Sequence, residues 1–245
     1  MTSRCAVRIF LFITLPLAWS ACSPSVTEHE VTPAKNGEYV ILLHGLARSP
    51  QSMEPLAQAL QEEGYGTCNT GYPSTKRTVP ELSGTSLREA VAKCRQLGAR
   101  KIHFIGHSMG AMLARYHLVV EPPKEAGRLI QLAPPNQGSE VVDNLVDRPI
   151  FKAVNGPAGS TLGTDPRSLA AKLPALTHET LIIAGRRSVN PINSLMIPGP
   201  DDGKVSVENT KATGMKRHIV LACSHPVIMK KRRTIEECIR FLQGG

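Results

Sequence analysis

The stretch Lys101–Val120, KIHFIGHSMGAMLARYHLVV, decides how the rest of this chain is read. Ile102, Phe104 and Ile105 make a short buried strand, Gly106-His107-Ser108-Met109-Gly110 follows at once, and an amphipathic helix comes next. That strand–turn–helix setting is what a G-x-S-x-G nucleophile elbow requires. So tight a turn leaves no room for side chains two residues before or after the serine, hence Gly106 and Gly110. Ser108 is forced into a strained backbone conformation with its hydroxyl projecting past the carboxyl edge of the sheet. The helix N-terminus beneath it offers unpaired N–H groups and the positive end of a dipole, which suit a developing oxyanion. Ser108 is the candidate nucleophile; the structural alternative is a Gly-Ser turn without chemistry.

Working outward, short apolar runs alternate with helical ones. Strands are expected at Glu38–Leu43, Tyr65–Thr70, Gly127–Leu132, Glu179–Ala184 and His218–Ala222, besides the elbow strand. Helices are expected at Ser52–Glu63, Thr85–Leu97, the elbow helix and about Val227–Leu242, with Gly64 and Gly98 as stops. This alternation specifies an α/β fold with a mostly parallel sheet of about six strands and helices on both faces. From Glu140 to about Leu176 the pattern weakens to a short helix and proline- and glycine-rich sequence. Such an insertion beyond a strand's carboxyl end is where a cap or lid belongs.

At 245 residues the chain suits one such domain, 38–245, preceded by other material. Met1–Ala21 has two arginines, an apolar run Ile9–Ala18 and small residues after it, the layout of a signal peptide. The apolar run is too short for a comfortable transmembrane helix. Ser20-Ala21-Cys22 resembles the end of a bacterial lipobox, although Trp19 stands where that motif normally has leucine. Ala18-Trp19-Ser20 offers a conventional cut instead. Either route exports the protein, to the periplasm or, with Cys22 acylated, to an outer-membrane anchor. Residues 22–37 are polar and proline-dotted and read as a flexible linker. With Cys5 in the leader and Cys22 acylated, Cys68, Cys94, Cys223 and Cys238 remain. Export permits disulfides, and the neighbouring elements suggest Cys68–Cys94 and Cys223–Cys238, the alternative being four buried thiols.

The formal net charge is +9, but basic residues are scattered apart from Lys230-Lys231-Arg232-Arg233. Without interleaved aromatics or a nucleic-acid motif, that run reads as a solvated helix face, and no nucleic-acid partner is expected. The histidines are dispersed, and C-x-x-C and glycine-rich phosphate loops are missing from the sequence, so neither a metal nor a nucleotide cofactor is expected.

A serine nucleophile needs a general base and an orienting carboxylate. Behind an elbow of this kind the chain order is serine, acid, histidine, with acid and base at the carboxyl ends of later strands. All five aspartates follow Ser108, and only Asp201 and Asp202 follow the penultimate strand. Of the histidines beyond them, His218 opens a strand at the wrong edge and His225 lies just past its carboxyl end. Asp202-Gly203-Lys204-Val205 turns sharply after the carboxylate and buries Val205, which favours Asp202 as the acid. Asp201 is expected to cap or hydrogen-bond the loop. On an elbow His107 is expected to point away from the site, and His103 is expected to be a strand residue of the buried sheet.

VILLHGL (Val40–Leu46), GHSMGAMLARYHL (Gly106–Leu118), LAPPNQGSE (Leu132–Glu140), DDGKVSVENT (Asp201–Thr210) and CSH (Cys223–His225) together resemble the α/β-hydrolase superfamily, specifically bacterial lipases and esterases with a small lid. The resemblance implies acyl transfer by Ser108, His225 and Asp202 on a small acyl-ester or lipid substrate, with ester hydrolysis as the first reading; the alternatives are thioesterase, phospholipase or acyltransferase activity on the same fold, or a non-catalytic envelope lipoprotein. It also implies an oxyanion hole formed by the N–H groups of Leu46 and Met109, with the catalytic work of His44-Gly45 belonging to the backbone.

Overall fold

The computed structural model describes residues 29–147 and 149–245, of which 149–154 as backbone only. The expected leader Met1–Ala21, Cys22 and the first part of the linker lie outside the described residues. Among those residues, β1 (His29–Thr32), β2 (Glu38–Leu43), β3 (Gly66–Thr70), β4 (Lys101–His107), β5 (Ala126–Leu132), β6 (Thr180–Gly185) and β7 (Arg217–Leu221) form one sheet. Its spatial order is β1-β3-β2-β4-β5-β6-β7. Every pairing is parallel except that of β1 with β3. The sheet thus has seven strands rather than about six, the extra one drawn from the expected linker. His29–Thr32 pairs with the full length of Thr67–Thr70, and Val31 packs against the core.

The helices are α1 (Glu54–Glu62), α2 (Val79–Leu82), α3 (Arg88–Gln96), α4 (Met109–Val120), α5 (Glu140–Leu145), α6 (Pro149–Ser160), α7 (Leu169–Lys172), α8 (Pro191–Ser194) and α9 (Arg232–Leu242). Two differ from expectation. The second starts earlier, at a capping box in which Thr78 and Glu81 satisfy each other's backbone N–H, and a π-helical stretch at Ser83–Leu87 joins α2 to α3. The last helix is delayed by a 3₁₀ stretch at His225–Lys230. The insertion between β5 and β6 holds α5, α6 and α7.

Alternation along the central strands divides the core in two. Tyr39, Ile41 and Leu43 of β2 join Ile102 and Phe104 of β4 beneath α3 and α4. Val40 and Leu42 point the other way, with Ile105, Ile130, Leu181 and Ile183, onto Leu56 and Leu60 of α1 and Phe241 and Leu242 of α9. Each such side chain contributes about 1.5–3 kcal/mol by leaving water. Lys230, Lys231, Arg232 and Arg233 are exposed at the start of α9, with Arg233 paired to Glu237 at 2.7 Å.

The expected bridges Cys68–Cys94 and Cys223–Cys238 are not formed; all four cysteines are buried free thiols. Cys68 and Cys94 share the first core layer and touch through their thiols, whereas Cys223 and Cys238 sit among aliphatic side chains of the second. Each fills space as a small hydrophobe.

Candidate active site

Ser108 closes the turn from β4 into α4 with φ 54° and ψ −120°, a left-handed conformation that L-residues adopt only under constraint. The constraint is visible at both glycines. A Cβ on Gly106 would lie 2.4 Å from the backbone of Gly110 and Ala111. One on Gly110 would lie 2.4 Å from the carbonyl oxygens of Leu43 and His44. The Ser108 N–H donates to the carbonyl of Leu132 at 2.8 Å, which pins the turn to β5.

The side chain of Ser108 reaches His225. Ser108 Oγ lies 3.0 Å from His225 Nε2, and His225 Nδ1 lies 2.7 Å from Asp202 Oδ2. The other oxygen, Asp202 Oδ1, accepts from the N–H groups of Lys204 at 3.0 Å and Val205 at 2.9 Å. A fully buried carboxylate with two backbone donors on one oxygen takes the imidazole N–H on the other, so Nδ1 of His225 carries the proton. Nε2 is left as the acceptor for the serine hydroxyl. The His225 N–H also donates to the Asp202 carbonyl at 2.9 Å, fixing the two loops to each other. Gly185, the last residue of β6, makes room for this junction: a Cβ there would lie 2.5 Å from the Cys223 carbonyl and 2.9 Å from Asp202 Cβ. Asp201 is turned aside. Its Oδ1 accepts from Gly203 N–H at 2.7 Å and Ser194 Oγ at 2.9 Å, holding the loop between β6 and β7.

Opposite the serine, the chain leaving β2 makes a second strained turn. Ala47 has φ 53° and donates its N–H to Ser74 Oγ at 3.0 Å, while Arg48 N–H donates to the Gly45 carbonyl at 3.2 Å. His44 is buried, stacks on Tyr72 at 4.0 Å between centroids, and is pushed down to about 4 by loss of solvation, so it is neutral. The Tyr72 hydroxyl donates to its carbonyl. Leu46 lies within this turn and lines the same cleft as Ser108. Met109 opens α4, where an N–H has no intrahelical carbonyl to meet.

His107 departs from expectation. Its ring does not face away but packs 4.8 Å from that of His225, and its Nε2–H donates to the His225 carbonyl at 3.0 Å. Gly45 permits this closeness, since a Cβ there would lie 2.7 Å from His107 Nδ1. Burial keeps His107 well below the usual imidazole range, hence uncharged beside His225. His103 does lie away from the site, bonded to Glu38 and to the Arg128 N–H.

The cleft above Ser108 measures about 150 Å³. Val141, Val142 and Leu162 of the insertion give it an apolar wall, and Arg48 and Lys204 line it with charge. The insertion is tied down from beneath: buried Arg115 of α4 donates to the carbonyls of Leu173 and Pro174 and to Asn136 Oδ1. Asn136 in turn donates to Gln131 and to the Thr210 carbonyl. Sequence reasoning found neither this network nor the two cations, because loop arginines and lysines carry no positional signature. Among the described residues no cluster of three or more metal-ligating side chains occurs.

A model of the Alpha/beta hydrolase family matches residues 40–227, a span that includes the serine turn, the aspartate loop and the histidine. The chain belongs to the alpha/beta hydrolase family. This hydrolase is 35% identical over 112 residues to a triacylglycerol lipase of Pseudomonas fragi, a match that covers 43% of this chain and 37% of that protein. The chain thus spans little more than a third of that relative's length. In fold it is similar to the mature form of the Bacillus licheniformis lipase BlEst2, with a TM-score of 0.72 at 18% identity over 88% of this chain and 98% of that one. It is also similar to phospholipase PlaB from Legionella pneumophila, with a TM-score of 0.64 at 18% identity over 84% and 59% of the two chains. At such identities the likeness is one of fold.

Proposed function

We propose that the protein is a serine hydrolase that cleaves carboxylic esters through an acyl-enzyme. The observation that carries this reading is the unbroken line from Ser108 Oγ through His225 to buried Asp202, open to a cleft at its serine end. Ser108 attacks the ester carbonyl while His225 Nε2 takes its proton, and Asp202 holds the imidazole and favours its cationic form. The N–H groups of Leu46 and Met109 receive the oxyanion. The bond to the alcohol oxygen then breaks, and that alcohol leaves with the proton from His225. Water, deprotonated by the same histidine, releases the acid and restores Ser108.

The cleft volume is that of a cavity able to hold a benzene-sized group, so short acyl chains fit it as it stands. The test is a panel of chromogenic esters of rising chain length on the protein without its leader, alongside Ser108→Ala. Hydrolysis of the short esters, lost in the variant together with fluorophosphonate labelling, is the expected result. Undiminished labelling of Ser108→Ala removes the assignment.

We further propose that the protein is exported and held at a membrane through acylated Cys22, on the strength of the apolar run Ile9–Ala18 followed by Ser20-Ala21-Cys22. More than one acyl chain makes such anchoring stable. Radiolabelled palmitate incorporated by the full-length chain and lost in Cys22→Ala is expected. An unlabelled, wash-soluble protein beginning at Ala21 contradicts it.

A further inference from the structure

The cleft over Ser108 is bounded by two cations that the hydrolytic cycle does not use. Arg48 ends the turn that follows β2, and Lys204 lies in the loop that carries Asp202; both line the cleft together with Ser108 and His225. Their backbones are fixed by the site itself. Arg48 N–H is bonded back to Gly45, Lys204 N–H donates to Asp202 Oδ1, and the Lys204 carbonyl accepts from Ser139 Oγ at 2.7 Å. Both residues are exposed, and both line one small cleft.

Among the described residues, neither has an acidic partner. Arg88, Arg95 and Arg128 each sit within 3 Å of a glutamate oxygen, whereas among the described residues no carboxylate forms an ion pair with Arg48 or Lys204. The carboxylate that acts on Lys204 is Asp202, which is buried and already engaged by His225. Loss of solvation and the repulsion of Arg48 outweigh it, and Lys204 is held below the usual ammonium range. Two like charges that line one cleft beside an apolar wall repel each other, and an anion that enters between them relieves that repulsion.

We propose that Arg48 and Lys204 select esters that carry an anionic group, a carboxylate or a phosphate, near the scissile bond. This deepens the esterase reading and rests on it. The cleft is small, so an acyl carbon bonded to Ser108 Oγ and a charge meeting both cations belong to one compact molecule. The apolar wall of Val141, Val142 and Leu162 takes the hydrocarbon part. The substrate class is an anionic amphiphile of short reach rather than a neutral triglyceride.

Two matched pairs of esters test this. The mono-p-nitrophenyl ester of glutaric acid is compared with p-nitrophenyl pentanoate, which has the same chain length without the charge. Dibutanoylglycerol phosphate is compared with dibutanoylglycerol, which places the charge on the alcohol side. The readout is the ratio of kcat/KM, anionic over neutral, at low and at high salt, for the wild type, Arg48→Gln/Lys204→Gln and Arg48→Lys, each checked for folding by circular dichroism. The wild type is expected to favour the anionic member of at least one pair by about tenfold, the preference shrinking with salt. The double glutamine variant should bring that ratio toward one, and Arg48→Lys should keep most of it. The pair that responds tells which side of the ester bears the charge. A wild-type ratio at or below one in both pairs, or a ratio the double variant leaves unchanged, overturns the inference while the esterase reading stands. If no ester of either charge is cleaved, the esterase reading fails and this one fails with it.

Discussion

In Asp202→Asn the side chain keeps its shape and loses its charge, and the surrounding hydrogen bonds dictate which way the amide turns. The Oδ1 position accepts from two backbone N–H groups, those of Lys204 and Val205. The amide oxygen must occupy it, because an NH₂ there would meet two donors. The NH₂ then faces His225 Nδ1 across the 2.7 Å contact that Oδ2 now occupies. Since NH₂ can only donate, the imidazole must put its proton on Nε2, the atom 3.0 Å from Ser108 Oγ. A protonated Nε2 cannot take the serine proton. The expected loss in kcat is about 10⁴-fold, equivalent to about 5.5 kcal/mol of transition-state stabilisation, with KM moving far less because Asp202 does not line the cleft. Asp201→Asn is the control. Its Oδ1 accepts from Gly203 and Ser194, which an amide oxygen does equally well, so activity should stay within about threefold. Steady-state hydrolysis of p-nitrophenyl butanoate, normalised by fluorophosphonate titration of active sites, measures both. If Asp202→Asn keeps activity within tenfold of wild type, or if Asp201→Asn loses more than it does, the reasoning is wrong.

Two further outcomes concern stability. Gly110→Ala drives a Cβ to 2.4 Å from the Leu43 and His44 carbonyls, and the overpacking should cost about 1–3 kcal/mol and displace the serine turn; an unchanged Tm with full activity would refute the crowding argument. His44 and His117 are each held at about 4 by burial, so the unfolded chain binds more protons than the folded one between about pH 4 and 6.5. Stability should be complete above that window and fall with acidification through it, by up to about 1.4 kcal/mol per pH unit for each histidine, and a Tm that is flat from pH 7 to 5 would contradict this.

The central strands and the Ser–His–Asp arrangement were legible because each leaves a local mark: an apolar run, a pair of glycines, a carboxylate or histidine just past a strand. The mark fails where a residue's role depends on a distant partner. His29–Thr32 is too short and too polar to read as a strand, and becomes one because Thr67–Thr70 has a free edge beside it. The helix expected from Thr85 begins instead at Val79, behind the capping box of Thr78 and Glu81, because a π-helical passage at Ser83–Leu87 carries the chain through Gly84, a residue that disfavours helix by itself. His107, as the residue before the serine of an elbow, is expected to face away, and sequence offers nothing there to say otherwise. Gly45, sixty-two positions earlier, opens the space that lets its ring lie against His225.

The reversed direction of β1 has a consequence for how the enzyme meets its surroundings. His29 pairs with Thr70, the last residue of β3, so the chain enters the sheet at the edge where the parallel strands end and Ser108 stands. Three strand spacings, about 14 Å, separate that entry from β4. From Cys22 to His29 the backbone can reach about 25 Å at most. Under the anchoring proposal, the leash therefore leaves from the same side as the cleft mouth, not from the back of the sheet. A bilayer holding Cys22 would see the opening face-on, and an amphiphile would pass from membrane to serine without diffusing around the protein.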